Sequence, residues 1–188
     1  MARRALGTLR IIGGHRRSRL IHFDAGNGVR PTPDRVRQTV FDWLAPIIHG
    51  ARVLDLFAGS GALGLEAASR GAHEVTFVEN QRGSAAAIRD AIALLKLDQV
   101  RVAEQDALAW LSGTAATFDV VFLDPPYGSD LLSRSLERLP RCLNPGAMVY
   151  LEWPSGQAPI LPQGLSVHRE RQAGKVCFAL LKQEVVHP

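Results

Sequence analysis

Cysteine is scarce in this chain of 188 residues: Cys142 and Cys177 are the only two. They stand far apart and form no Cys-x-x-Cys pair. A disulfide scaffold and a structural zinc site are therefore both poor explanations, no metal is expected, and a reducing cytoplasm is the expected compartment. Long apolar runs are missing as well. No stretch approaches the ~18 residues that a membrane-crossing helix needs. The apolar stretch after Met1-Ala2-Arg3-Arg4 is broken by Arg10 and by Gly13-Gly14, so no signal peptide is expected. There is no internal repeat and no low-complexity tract. Hydrophobic residues at 46% and charged residues at 21% exclude a disordered chain. The length suits one domain with a real core.

Lysine is the other shortage. Only Lys96, Lys175 and Lys182 accompany 19 arginines, and arginine is the better residue for planar, bidentate contact with phosphate. The net charge of +4 is mild but unevenly placed. Residues 1–37 hold nine arginines against Asp24 and Asp34, which makes that segment +7 and the remainder −3. A basic arm on a slightly acidic body suggests a polyanionic partner, with a solvated surface strand as the plainer alternative. We take residues 1–30 as a basic hairpin extension and 31–188 as the main domain. The candidate phosphate contacts are Arg10, His15, Arg16, Arg17, Arg19, Arg30 and Arg35. For Arg30, a cofactor carboxylate, an RNA phosphate and helix packing all remain open.

The extension reads as two short strands, Leu6 to Ile12 and Leu20 to Phe23, with a basic tip between them. Gly26-Asn27-Gly28 reads as a turn. Thr32-Pro33-Asp34 starts a helix, with Thr32 as cap and Pro33 at the first helical position. Val36, Val40, Leu44 and Ile47 give that helix one apolar stripe. From residue 51 onward, apolar strands alternate with helices, which predicts an α/β fold on a mainly parallel sheet. The strands are Val53 to Phe57, Val75 to Val78, Val100 to Ala103, Phe118 to Leu123 and Met148 to Leu151. The tail, Leu165 to Val167 and Val176 to Leu181, reads as an antiparallel hairpin.

Three groups of residues carry chemistry. In the first, Asp55-Leu56-Phe57-Ala58-Gly59-Ser60-Gly61-Ala62-Leu63-Gly64, a strand feeds a glycine-rich turn that opens a helix. Such a turn lets backbone N–H groups approach a ligand. Glu79 ends the next strand, where an acid accepts hydrogen bonds from ribose hydroxyls. Asp106 follows the strand after that. Phe57, Ser60, Asn80 and Ala107 complete the candidate cofactor set with Asp55, Gly59, Gly61, Glu79 and Asp106. Ligands of open α/β sheets sit beyond the carboxyl ends of the strands, so Asp55, Glu79, Asp106 and Asp124 are expected around one mouth. Four acids suit a cationic ligand with hydroxyls and amines. That favours S-adenosyl-L-methionine over a nicotinamide dinucleotide.

The third group is Asp124-Pro125-Pro126-Tyr127, directly after the apolar strand Val120-Val121-Phe122-Leu123. Adjacent prolines have fixed φ and no N–H, which stiffens the turn and frees its carbonyls. A carboxylate and a carbonyl together can grip both hydrogens of an exocyclic amine. The amine's lone pair is delocalised into the ring, and this grip favours the pyramidal form that can attack. Tyr127 offers a ring for a base to stack on.

With Arg10-Ile11-Ile12-Gly13-Gly14 and Arg30-Pro31-Thr32-Pro33-Asp34-Arg35-Val36-Arg37, these motifs resemble the class I S-adenosylmethionine-dependent methyltransferases. Within that class they resemble the bacterial 16S rRNA guanine-N2 methyltransferases of the RsmD type, from about residue 9 to about residue 182. The resemblance implies a Rossmann-like, seven-stranded mixed sheet of order 3-2-1-4-5-7-6 with helices on both faces. It implies the cofactor's methionine at Gly59–Gly61, its ribose at Glu79 and its adenine near Asp106. It assigns amine gripping to Asp124 and the Pro125 carbonyl, and 16S rRNA or a small-subunit particle as partner. A monomer is expected. Three rivals stand beside this reading: an adenine-N6 methylase of DNA or RNA, a non-catalytic nucleic-acid module on the same scaffold, and a nicotinamide-dependent dehydrogenase. The last leaves Asp-Pro-Pro-Tyr without a purpose.

Overall fold

A computed structural model gives the fold and describes residues 6–26 and 31–184. Arg30, Asn27 and Gly28, together with Arg3 and Arg4, lie outside the described residues. The extension forms β1 (Leu6–Arg10) and β2 (Leu20–Asp24). They pair antiparallel with Arg10 opposite Leu20 and Leu6 opposite Asp24. The first helix, α1, spans Asp34–Leu44. Then follow β3 (Arg52–Asp55), α2 (Ala62–Ser69), β4 (Glu74–Val78), α3 (Arg82–Leu95) and β5 (Val100–Ala103). The chain continues through α4 (Ala107–Gly113), β6 (Phe118–Leu123), α5 (Leu131–Arg138) and β7 (Leu143–Pro154). It closes with β8 (Leu165–Ala173) and β9 (Val176–Gln183).

Strands β3 to β9 make one seven-stranded sheet in the order β5-β4-β3-β6-β7-β9-β8. Counted from β3, that is the expected 3-2-1-4-5-7-6. Neighbours from β5 through β7 are parallel, while β9 runs antiparallel between β7 and β8. The pleat sends alternate side chains to two cores. Val53, Val75, Val120, Phe122, Tyr150, Phe178 and Leu180 pack with α1, α2, α3 and the hairpin. Leu54, Val78, Val121, Leu123, Val149, Leu151, Ala179 and Leu181 pack with α4 and α5. Buried Leu and Phe side chains each contribute about 1.5–3 kcal/mol, so burial on both faces holds the sheet as the middle layer.

The start of α1 differs from the expectation. Pro33 has φ −54° and ψ 144°, an extended conformation, so it caps the helix and Asp34 is the first helical residue. No side chain caps the end; the Asp34 carboxylate turns instead to Arg37 at 2.5 Å. The buried face is Arg37, Val40, Phe41 and Leu44. Pro46 has no N–H to continue the ladder. The chain therefore turns, Ile47 is left 37% exposed, and Ile48 is buried in its place. Arg37 is fully buried and donates to the Arg10 carbonyl at 2.8 Å, which ties α1 to β1.

The hairpin is part of the body rather than a loose arm. Leu9, Ile11, Ile21 and Phe23 are buried in the first core. Glu66 on α2 is fully buried, and its carboxylate accepts from the Ile12 N–H at 2.8 Å, the Gly13 N–H at 2.7 Å and Arg70 Nε at 2.7 Å. Ser69 Oγ donates to the Gly13 carbonyl at 2.6 Å and accepts from the Arg16 N–H at 2.9 Å. Gly14 is there by necessity: its φ is +75°, and a Cβ would meet the Ser69 carbonyl oxygen at 1.9 Å.

Candidate active site

The glycine-rich turn hangs on two carboxylates. Asp55, at the end of β3, is buried, and its Oδ2 accepts from the Gly64 N–H at 3.0 Å. Glu79, just beyond β4, accepts from the Gly59 N–H at 2.7 Å and from the Gln81 N–H at 2.7 Å. Gly59 and Gly61 have φ of 52° and 75°, the left-handed region that a side chain disfavours. Gly64 is small for another reason. A Cβ there would meet the Phe77 ring at 2.2 Å, so glycine lets α2 lie close on β4. These are the three roles that the glycine fingerprint implies: a tight turn, an open backbone and close helix–strand packing.

A second feature emerges from the strand register. Asp55 pairs with Phe122 and Phe122 with Tyr150, all directed to the first core face. One pleat further along, Asp124 follows β6 beside Glu152 of β7. Asp55, Asp124 and Glu152 thus form a row of carboxylates across three adjacent strand ends. Burial pushes the Asp55 carboxyl up to about 7, opposed by the Gly64 N–H and reinforced by the charge of Glu79. Burial also holds the Asp124 carboxyl well above the usual range, with Glu152 and Asp55 adding to the shift. Glu152 is raised by burial too, and hydrogen bonds from two phenols offset part of that.

Those phenols are Tyr150, which donates to Glu152 Oε1, and Tyr127, which donates to Oε2 at 3.3 Å. Burial and the neighbouring carboxylates push both hydroxyls upward, so they stay protonated donors. The Tyr127 ring is 54% exposed and so is available to a stacking partner. Pro125 is buried, Pro126 exposed and Asp124 half-buried. Ser129 Oγ donates to the Pro126 carbonyl at 2.7 Å and pins the turn. The Asp124 carboxylate and the Pro125 carbonyl accept no hydrogen bond among the described residues. Two adjacent acceptors are thus left open at the mouth.

Sequence reasoning did not find Glu152 or Tyr150. The signal was an acid inside the apolar run Met148-Val149-Tyr150-Leu151-Glu152-Trp153, which reads as a strand that stops at Leu151; β7 in fact runs on to Pro154. Asp106, just beyond β5, has a local structural role. It is exposed and accepts from the Ala109 N–H at 2.8 Å, which caps α4. Phe57 is half-buried, Ser60 and Ala107 are buried, and Asn80 is exposed, all around the same turns.

The basic residues of the hairpin tip, among those described, do not gather at this mouth. Helices α2 and α3 start at the catalytic rim and run back to the opposite end of the sheet. The hairpin tip is bonded at that far end. Arg16 Nε donates to the Leu95 carbonyl at 2.5 Å and its Nη2 to the Lys96 carbonyl at 3.3 Å, closing the C-terminus of α3. His15, Arg17 and Arg19 are exposed around it, and Arg10, at the end of β1, and Arg35, in the first turn of α1, are also exposed.

The sheet order, the glycine turn and the Asp-Pro-Pro-Tyr rim define the class: the fold is that of the class I S-adenosylmethionine-dependent methyltransferases. A Thermus thermophilus 16S rRNA N2 methyltransferase, solved with AdoMet and guanosine, has the same fold at a TM-score of 0.70 and 22% identity, over 96% of this chain and 50% of that one. More narrowly, the chain belongs to the family described as conserved hypothetical protein 95, which it matches over residues 9–182. It is 40% identical over 181 residues to ribosomal RNA small subunit methyltransferase D of Escherichia coli, covering 95% of this chain and 91% of that protein. It superposes on the solved structure of the Escherichia coli protein yhhF with a TM-score of 0.88 at 40% identity, over 96% of this chain and 100% of that one.

Proposed function

We propose that this protein transfers a methyl group from S-adenosyl-L-methionine to the exocyclic N2 amine of a guanine in 16S rRNA. The substrate is the free rRNA or a small-subunit particle, and the compartment is the cytoplasm. The observation that carries the reading is the pair of open acceptors, the Asp124 carboxylate and the Pro125 carbonyl, set beside the Tyr127 ring. The name of the Escherichia coli relative supports the rRNA substrate. No group of side chains suited to a metal ion occurs among the described residues, and no helix there is long and apolar enough to cross a membrane.

The donor set fits the cofactor. Three raised carboxylates in a row are an unfavourable cluster when ionised, and a ligand bearing a sulfonium and an ammonium relieves it. Asp55, Glu79 and the backbone from Gly59 to Gly61 would hold it, with Phe57, Ser60, Asn80, Asp106 and Ala107 along the same edge. When bound, S-adenosyl-L-methionine supplies an electrophilic methyl group on sulfur. The chain's own residues prepare the amine. Asp124 and the Pro125 carbonyl each accept one N–H, which turns the nitrogen lone pair out of the purine plane. As the N–C bond would form and the methyl's bond to sulfur break, leaving a neutral thioether, positive charge would grow on nitrogen; the Asp124 carboxylate stabilises it, and the proton is lost to Asp124 or to water. Tyr127 stacks on the base, which must be unstacked from its neighbours to reach the rim.

Mapping methylated nucleotides in 16S rRNA from cells with and without the gene tests the reading. Loss of one N2-methylguanine supports it, and an unchanged map refutes it. With purified protein, Asp124→Ala is expected to lower turnover at least ~100-fold while cofactor affinity is retained. Near-normal turnover would remove Asp124 from the chemistry. Labelled-cofactor assays on RNA and DNA, followed by identification of the methylated nucleoside, separate this reading from adenine-N6 methylation.

A further inference from the structure

Strand β8 is the free edge of the sheet, and all its residues after Leu165 are exposed. Its register carries a pattern. Arg171 pairs with Phe178, and Phe178 with Glu152, which lies beside Asp124. Arg169 pairs with Leu180, which pairs with Tyr150. Phe178, Leu180 and Tyr150 all face the first core, so Arg169 and Arg171 project on that same side of the sheet. Lys182 of β9, two residues beyond Leu180, shares the face and is exposed. Glu170, paired with Ala179, is directed to the other side. Arg169, Arg171 and Lys182 make no ion pair among the described residues.

These residues therefore form a basic stripe along one edge of the catalytic face. Arg171 lies in the same cross-strand row as Asp124, three strand spacings away, which is about 14 Å. Arg169 follows at about 6.6 Å along the strand, comparable to the step between phosphates in an extended RNA strand. Between the stripe and Asp124 lie the exposed Tyr127 ring and Trp43, which stacks on Phe178 at 5.5 Å between ring centroids. A surface that runs from open acceptors through an aromatic ring to unpaired guanidinium groups is complementary to a single RNA strand. The base enters the rim and the flanking backbone crosses the edge.

We infer that Arg169, Arg171 and Lys182 form a contact surface for the phosphates of the RNA strand flanking the target base. This surface is separate from the basic tip of the β1–β2 hairpin. The inference rests on the rRNA reading above. It competes with a plainer role for the same charges, since charged side chains on an edge strand also prevent edge-to-edge pairing.

The charge reversal Arg169→Glu/Arg171→Glu separates the two roles, because glutamates protect an edge as well as arginines do. The protein is titrated with a 16S rRNA fragment containing the methylated guanine, across a range of salt concentrations, and cofactor affinity is measured in parallel. The inference expects rRNA affinity to fall at least tenfold at about 0.1 M salt. It also expects the slope of log K against log salt to shrink by about 1.4, the value for two single-strand phosphate contacts. Cofactor affinity and elution as a soluble species are expected to match the wild type. The KM for rRNA rises with the loss of affinity. Unchanged rRNA affinity and slope overturn the inference while leaving the methyltransferase reading intact. A wild-type protein that neither binds nor methylates the fragment or a small-subunit particle overturns both.

Discussion

Asp55 sets a proton-linked test of cofactor binding. Its carboxyl is raised from 3.8 to about 7, chiefly by burial. The gap corresponds to about 4 kcal/mol of preference for the neutral form in the folded protein. The sign follows from linkage. A carboxyl whose folded value is raised contributes stability that is fully present below about 4 and is lost as pH rises through about 7. The free protein therefore loses this contribution progressively between about pH 4 and pH 7. A cationic ligand reverses the preference by favouring the ionised form. At pH 6 about one-tenth of Asp55 is ionised and at pH 8 about nine-tenths. If binding requires the carboxylate, affinity for S-adenosyl-L-methionine rises about tenfold between those two values. Titration calorimetry in two buffers of different ionisation enthalpy reads both the affinity and the protons released. Near pH 6 the release approaches one proton. Asp55→Asn should flatten the profile. A wild-type affinity that is level from pH 6 to pH 8, with no proton released, would refute the account of the carboxylate row.

Glu152→Gln keeps the shape of the side chain but cannot accept from both phenols, so turnover is expected to fall at least about tenfold through a mispositioned Tyr127, with the melting temperature monitored alongside; unchanged steady-state turnover would make Glu152 dispensable. Gly64→Ala forces a Cβ to 2.2 Å from the Phe77 ring and should cost about 1–3 kcal/mol, read as a lowered urea midpoint. Glu66→Ala leaves the Ile12 and Gly13 N–H groups and Arg70 without their buried acceptor. A loss of about 3–5 kcal/mol is expected, with early amide exchange in the hairpin.

Much of this architecture was legible in the sequence because the strands that build the site are apolar and end in chemistry. Val100 to Ala103 and Phe118 to Leu123 are strands with the same bounds in the structure. Asp55, the last residue of β3, and Asp124, just after β6, fall at the rim because parallel strands bring their carboxyl ends together. What escaped depends on contacts between distant residues. The fate of Arg16 is decided by carbonyls at Leu95 and Lys96, and no local pattern reveals them. Glu152 looked like the end of a strand because its partners, Tyr127 and Tyr150, become donors only once β7 lies beside β6. The hairpin's basic composition was plain, but its burial of Leu9 and Ile11 was not. Deleting residues 1–20 would therefore remove core as well as charge, and substitutions at exposed Arg17 and Arg19 are the cleaner probe of the tip.

The anchoring of the hairpin tip beneath α3 also fixes a length. The helix has 14 residues and so spans about 21 Å. That separates the exposed arginines of the tip from the rim where the amine is held. A nucleic acid touching both ends must carry a phosphate group at that remove from its target base. If the tip also contacts RNA, as proposed, the protein would work as a two-point gauge of folded RNA shape. A short single strand can fill the rim yet cannot reach the second point, so assembled rRNA structure should be a far better ligand than the bare sequence around the guanine.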